Sequence, residues 1–265
     1  MPGLGWRLLR DAPADGARNM AVDEAIARAV GAGRVSPTVR FYSWSRPTIS
    51  LGCLQKSDGA VDLAACRRLG IDIVRRPTGG RAVLHADELT YSVAVPMDGT
   101  WGVMSVAESF SRIGEALVAG LRRLGVAATI GDGRPERSDL PGAAACFQLR
   151  RMPAILVSGK KLIGSAQRRW KGSMLQHGSL LLEFDVAMHR AVFPAWCDIT
   201  GGVAWLGALL DEMPSRSVVE SALAAGWAET TGSPLAPGIL ATEERREAEE
   251  LARTRYEDRV WTFQR

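Results

Sequence analysis

The sequence predicts an α/β (α+β) fold with a mixed, largely antiparallel central sheet flanked by helices. Three observations predict it. Strand-like and helical patterns alternate along the chain. Several neighbouring strand segments are joined by turns too short for a parallel crossover, which argues against a purely parallel sheet. The 265 residues are 46% hydrophobic and 23% charged, enough for one sizeable core in a single domain over 1–265.

The elements follow in order. Trp6 to Arg10 reads as a short strand. An amphipathic helix comes next, with Met20, Val22, Ala25, Ile26 and Val30 on one side and Arg18, Asp23, Glu24 and Arg28 largely elsewhere. Thr38 to Trp44 and Thr48 to Leu51 are strands separated by the breaker Pro47. Residues 61–69 form a helix ended by Gly70, and Ile71 to Val74 is strand-like. Strands over Ala82 to Leu84 and Leu89 to Val95 follow. Residues 104–123 make the clearest long helix, with Val106, Phe110, Ile113, Leu117 and Leu121 on one stripe. Gly131 to Ala145 is a loop by composition. Ala154 to Val157 and Leu162 to Ala166 pair as a hairpin around Ser158-Gly159, and Leu175 to Glu183 is a strand. From Ser217 the pattern turns helical, giving a charged helical segment over about 217–256.

Composition excludes several classes. No apolar run reaches the roughly 18 residues of a membrane helix, and the N-terminus lacks a signal-peptide core, so the expected location is cytoplasmic. The four cysteines, at 53, 66, 146 and 197, have no CxxC spacing, and with three histidines no metal site is expected. The net charge of +4 suits an acidic protein or phosphate partner as well as a solvated face. No nucleic-acid signature is present.

Four segments can carry chemistry. In RRPTGGRAVLH, Arg75 to His85, paired glycines let a ligand approach the backbone, and successive N–H groups can hold an anion or an acyl carbonyl. In SGKKLIGSAQRR, Ser158 to Arg169, a strand lysine can aim a fixed positive charge into a cleft. In LQHGSLLL, Leu175 to Leu182, His177 is a candidate base. In GAAACFQLRR, Cys146 follows small residues that leave room for a substrate, and nearby arginines favour the thiolate. Each segment taken alone also fits a structural role: a tight turn, a solvated lysine, a core histidine, a buried thiol.

Taken together, these segments resemble the lipoate–protein and biotin–protein ligase superfamily, and within it the octanoyltransferases of the lipoate-ligase-like type. The pieces match in order over most of residues 6–183: NMAVDEAI at 19–26, RFYSWSRPTISLG at 40–52, RRPTGGRAVLH at 75–85, ELTYSV at 88–93, CF at 146–147, GKKLIGSAQRR at 159–169 and LQHGSLLL at 175–182. Adenylate-forming ligases of the superfamily carry a third glycine where Arg81 stands and an Asn-rich stretch where Glu88 to Ser92 stand. In one departure from the pattern, Ala86 precedes Asp87 after the histidine, so Asp87 receives no role.

The resemblance implies a lipoate/biotin-ligase-like catalytic domain, a protein octanoyltransferase of lipoate biosynthesis without a cofactor. The donor would be octanoyl-acyl-carrier-protein. The acceptor would be a lysine of a lipoyl domain, the glycine-cleavage H protein foremost. Cys146 would be the nucleophile and Lys161 its catalytic partner. Arg76, Thr78, Gly79, Gly80, Arg81, His85, Gly164, Ser165, Ala166 and His177 would contact substrate, and Val83, Leu84 and Ile163 would line the acyl tunnel. Three other functions fit parts of the pattern: an ATP-dependent lipoate ligase, which needs no cysteine; a lipoyl-domain amidotransferase, which places its cysteine elsewhere and keeps Cys53, Cys66 and Cys197 in view; and a non-catalytic carrier-binding module.

Overall fold

The computed structural model describes residues 5–131, 154–194 and 200–264. The chain opens with strand β1 (Trp6–Arg10), helix α1 (Gly16–Gly31), and strands β2 (Thr38–Tyr42) and β3 (Thr48–Leu51). Helix α2 (Leu63–Arg68), β4 (Asp72–Arg75), β5 (Val83–His85) and β6 (Glu88–Pro96) follow. Then come α3 (Gly99–Val103), α4 (Val106–Arg123), β7 (Ala128–Ile130), β8 (Ile155–Val157), β9 (Lys160–Arg169) and β10 (Ser173–Leu181). The last elements are α5 (Val186–Val192), α6 (Leu206–Leu209), α7 (Arg216–Thr231), β11 (Leu235–Pro237), α8 (Thr242–Leu251) and α9 (Arg259–Phe263).

Eight strands form the main sheet in the order β11-β1-β2-β6-β10-β9-β8-β7. Only the β11–β1 and β1–β2 pairs are parallel; the other five are antiparallel. The mixed, largely antiparallel sheet expected from sequence is present. Strands β4-β3-β5 form a second, three-stranded sheet beside it. The β8–β9 hairpin turns at Ser158 and Gly159, whose φ values of 48° and 74° give the left-handed pair that a two-residue hairpin requires.

Each face of the main sheet carries its own core. Helix α4 lays Phe110, Ile113, Leu117 and Leu121 on one face; the last three join Leu89, Tyr91, Val93 and Val95 of β6 in one cluster. The Ser105 hydroxyl accepts from Glu108 N, and the Glu108 carboxylate accepts from Ser105 N, which fixes where α4 starts. On the opposite face α1 packs Met20, Val22, Ala25, Ile26 and Val30 against Tyr42, Ala94 and Leu175.

The sequence reading of α1 needs one correction. Asp23 and Glu24, expected away from the apolar side, are both buried, at 0% and 1% exposure. They are buried because each has several partners. Glu24 accepts from Arg28, Arg255 and the Tyr256 hydroxyl; Asp23 belongs to the site described below.

The C-terminal segment departs from an unbroken helical run: β11 interrupts it, completing the edge of the main sheet beside β1. Its last helix reaches back to the glycine motif. The Trp261 indole N–H donates to the Arg75 carbonyl at 2.9 Å, and Arg75 Nε donates to the carbonyls of Trp261 and Thr262. Trp261→Phe removes the indole donor. It is expected to lower stability by about 1 kcal/mol, read as a shift in the denaturant midpoint without a change in slope.

Candidate functional site

A narrow cleft lies between the main sheet and the β3–β5 edge of the smaller one. Its floor is one lateral row of the main sheet. Gly164 of β9 opposes Ser179 of β10, Ser179 opposes Thr90 of β6, and Thr90 opposes Tyr42 of β2. All four residues line the cleft. The smaller sheet contributes Ser50, Val83 and His85, and α1 contributes Met20.

Two relays of matching chemistry border the cleft. In the first, Ser50 Oγ lies 2.7 Å from His85 Nε2, and His85 Nδ1 lies 2.8 Å from Glu88 Oε1. In the second, Thr78 Oγ1 lies 2.7 Å from His177 Nε2, and His177 Nδ1 lies 3.1 Å from Asp23 Oδ2. A nitrogen that faces a carboxylate carries the proton. In a neutral ring the other nitrogen therefore accepts from the hydroxyl. Burial holds His177 below the usual histidine range, despite the raising effect of Asp23, so its ring is neutral at physiological pH.

The carboxylates are tied further. Burial pushes Asp23 up, but its bond to His177, the Arg40 guanidinium and the Ser92 hydroxyl outweigh it, and the net shift is down. Tyr42 also donates to Asp23, at 2.9 Å. Glu88 behaves alike: burial opposes ionisation, while His85, Thr90 and Ser179 hold the carboxyl below its usual range. The Trp44 indole N–H reaches both Glu88 and Thr90, and its ring stacks on His85 with centroids 4.0 Å apart. The named polar side chains of this wall thus bond chiefly to one another, Glu88 Oε2 being left without a hydrogen-bond partner among the described residues, and the wall suits an apolar ligand better than a polar one.

The structure gathers the sequence-derived candidates unevenly. His85, His177, Gly164, Ser165, Ala166 and Arg76 all line the cleft. Arg76 is buried, and its guanidinium donates to the carbonyls of Ser50, Gly79 and Arg81 and to Ser50 Oγ. It therefore shapes the Gly79–Arg81 turn. Thr78 reaches the site through His177. Gly80, at φ 92°, and Arg81 border a separate shallow depression with Leu54 and Lys56. Gly52 passes so close to this turn that a Cβ there would strike the Gly80 carbonyl oxygen. Lys161 is 2% exposed, three residues before Gly164 on β9, and its carbonyl accepts from Ala204 N. Of the tunnel candidates, Val83 lines the cleft; Leu84 and Ile163 are buried in the cores beside it.

Cys146 and Cys197 lie outside the described residues. Of the other thiols, Cys53 is half-buried and Cys66 is buried. Burial and the Asp62 charge push Cys66 up to about 11, which leaves little thiolate at neutral pH.

Sequence reasoning gave no role to Asp23, Trp44, Ser50 or Glu88. Their signal was present in that NMAVDEAI, RFYSWSRPTISLG and ELTYSV contain them, but no local pattern says that a helical aspartate and a strand glutamate meet two distant histidines.

Comparison with known proteins places this chain in a class. Residues 15–228 match the lipoyl protein ligase A/B catalytic domain, and the chain belongs to that family. Octanoyltransferase LipM of Kyrpidia tusciae is 42% identical over 98% of this chain and 99% of its own. That of Symbiobacterium thermophilum is 40% identical over 98% of each. Among solved structures, lipoate-protein ligase A bound with ATP superimposes with a TM-score of 0.84 at 29% identity, covering 99% of both chains. A bipartite lipoate protein ligase from Thermoplasma acidophilum gives a TM-score of 0.82 at 27% identity, covering 98% of this chain and 96% of its own. Within the family this chain groups with the octanoyltransferases, acyltransferase enzymes of lipoate biosynthesis. No helix among the described residues is long and apolar enough to cross a membrane.

Proposed function

We propose that the protein takes octanoyl from octanoyl-acyl-carrier-protein onto Cys146 and passes it to a lysine of a lipoyl domain, the glycine-cleavage H protein foremost, in the cytoplasm. The cleft carries this reading: its wall of mutually bonded polar groups suits a fatty chain with no polar tail.

The chemistry balances without another reactant. The Cys146 thiolate adds to the donor's thioester carbonyl, giving a tetrahedral oxyanion. Its collapse expels the carrier thiolate, which takes up a proton, and leaves an octanoyl thioester on Cys146. The neutral amine of the acceptor lysine then adds to that thioester. The amine loses its proton, the amide forms, and Cys146 leaves as thiolate. Splitting the transfer in two gives ping-pong kinetics. The Lys161 ammonium supplies positive charge to the oxyanion in both halves, together with backbone N–H groups of the Gly79-Gly80 turn. Lys161→Ala is expected to lower kcat/KM by about 10²–10³. Single-turnover acylation measured beside a melting curve separates this loss from a folding defect.

The test of the whole reading is intact-protein mass spectrometry after mixing with octanoyl carrier. One octanoyl adduct, mapped to Cys146 and discharged by a lipoyl domain without ATP, is the expected result. Turnover of free octanoate or lipoate that requires ATP and survives Cys146→Ala would assign the chain to ligation instead, the activity that the fold's likeness to lipoate-protein ligase A brings into view.

A further inference from the structure

We propose that Met20 sets the acyl chain length. The inference rests on the octanoyl-transfer reading above.

The geometry of the floor supplies the ruler. The row Gly164, Ser179, Thr90, Tyr42 crosses four adjacent strands. Three strand spacings make it about 14 Å long. Lys161, the proposed catalytic partner, lies on β9 at the Gly164 end. An eight-carbon acyl chain is about 9 Å long when extended, taking the reach of a fully extended polypeptide as the scale for its carbon–carbon bonds. Laid along the row from β9, its methyl end comes level with Thr90, about one strand spacing short of Tyr42, whose hydrophobic cluster also holds Met20.

At that end one wall residue can yield. The Tyr42 hydroxyl is held by Asp23, the Trp44 indole by Glu88 and Thr90, and the His177 ring by Asp23 and Thr78. Met20 is 1% exposed, has no polar anchor, and lines the cleft from α1. Its unbranched side chain is the adaptable part of a rigid wall. Room for longer chains therefore depends on the size of this side chain, and each methylene that finds room leaves water.

The test measures kcat/KM of wild type, Met20→Ala, Met20→Val and Met20→Phe with hexanoyl, octanoyl, decanoyl and dodecanoyl carrier thioesters. Met20→Ala is expected to raise the decanoyl-to-octanoyl ratio about tenfold, the effect of two further buried methylenes. Met20→Phe is expected to move preference toward hexanoyl by a similar factor. Met20→Val keeps the test open if the alanine variant does not fold. Unchanged ratios in the folded variants overturn the ruler. Adduct formation on Cys146, followed in the same samples, separates the two claims. A shifted ratio with no Cys146 adduct supports the ruler and sinks the covalent mechanism; a Cys146 adduct with unchanged ratios does the reverse.

Discussion

Replacing Cys146 with alanine is expected to cut octanoyl transfer by about 10⁴-fold or more and to abolish the covalent adduct. The size of the loss follows from what a covalent intermediate makes possible. Without it, donor carrier and acceptor domain, both macromolecules, would have to meet at one cleft together. With it, each visits separately and the enzyme holds the octanoyl group between visits. Wild type should give parallel double-reciprocal plots when donor and acceptor are varied; intersecting lines would oppose the scheme. Alkylation by iodoacetamide gives an independent reading. The Cys146 thiol is expected to react well below about pH 8 and ahead of the other three. Cys66, pushed up to about 11 by burial and Asp62, should be among the slowest. Equal labelling of all four would speak against an activated nucleophile, and faster labelling of Cys53 would move attention to the half-buried thiol beside the glycine turn.

Local patterns carried much of the fold. The Ser158-Gly159 turn, the stripe on α4 and the alternation in β6 rest on interactions within a few residues, so their chemistry is visible in a short window. What was not legible depends on distant partners. Strands β7 and β11 are three residues each, too short for a periodic signal, and exist because β8 and β1 offer edges to pair with. Helix α5 is also short, and its burial rests on packing against the smaller sheet. Charge in α1 misled for the same reason. A carboxylate on a helix reads as solvent-facing until Arg40 or Tyr256 arrives from elsewhere. Both histidines, singled out because their motifs resemble a known family's in order, line the cleft, whereas Gly80 and Arg81 of the glycine turn border a separate depression. The pairing of the histidines with Ser50, Thr78, Glu88 and Asp23 was not legible, because it joins elements up to 154 residues apart.

Removing the Asp23 carboxylate is expected to have the largest effect on stability. This one group accepts from Arg40, Tyr42, Ser92 and His177, and it is fully buried. Asp23→Ala leaves the buried Arg40 guanidinium with Asp11 as its remaining acidic partner among the described residues and frees a tyrosine hydroxyl and an imidazole N–H in the core. Breaking a buried pair in this way costs about 3–5 kcal/mol, measurable by denaturant titration. Asp23→Asn keeps an acceptor oxygen but not the charge, and should fall between alanine and wild type. The same network sets the acid response. His177 and His189 have folded pKa values below their unfolded ones, so the unfolded chain binds more protons and stability begins to fall below about pH 6.5. Asp23 and Glu88 are also depressed in the folded state. Their contribution is complete above the unfolded carboxylate range and is lost as pH drops below about 4. Wild type should therefore lose stability in two steps on acidification, and Asp23→Asn should lack part of the lower one. A variant whose acid profile matched wild type would mean that Arg40 and His177 are held by other partners, and that the second relay does not depend on its carboxylate.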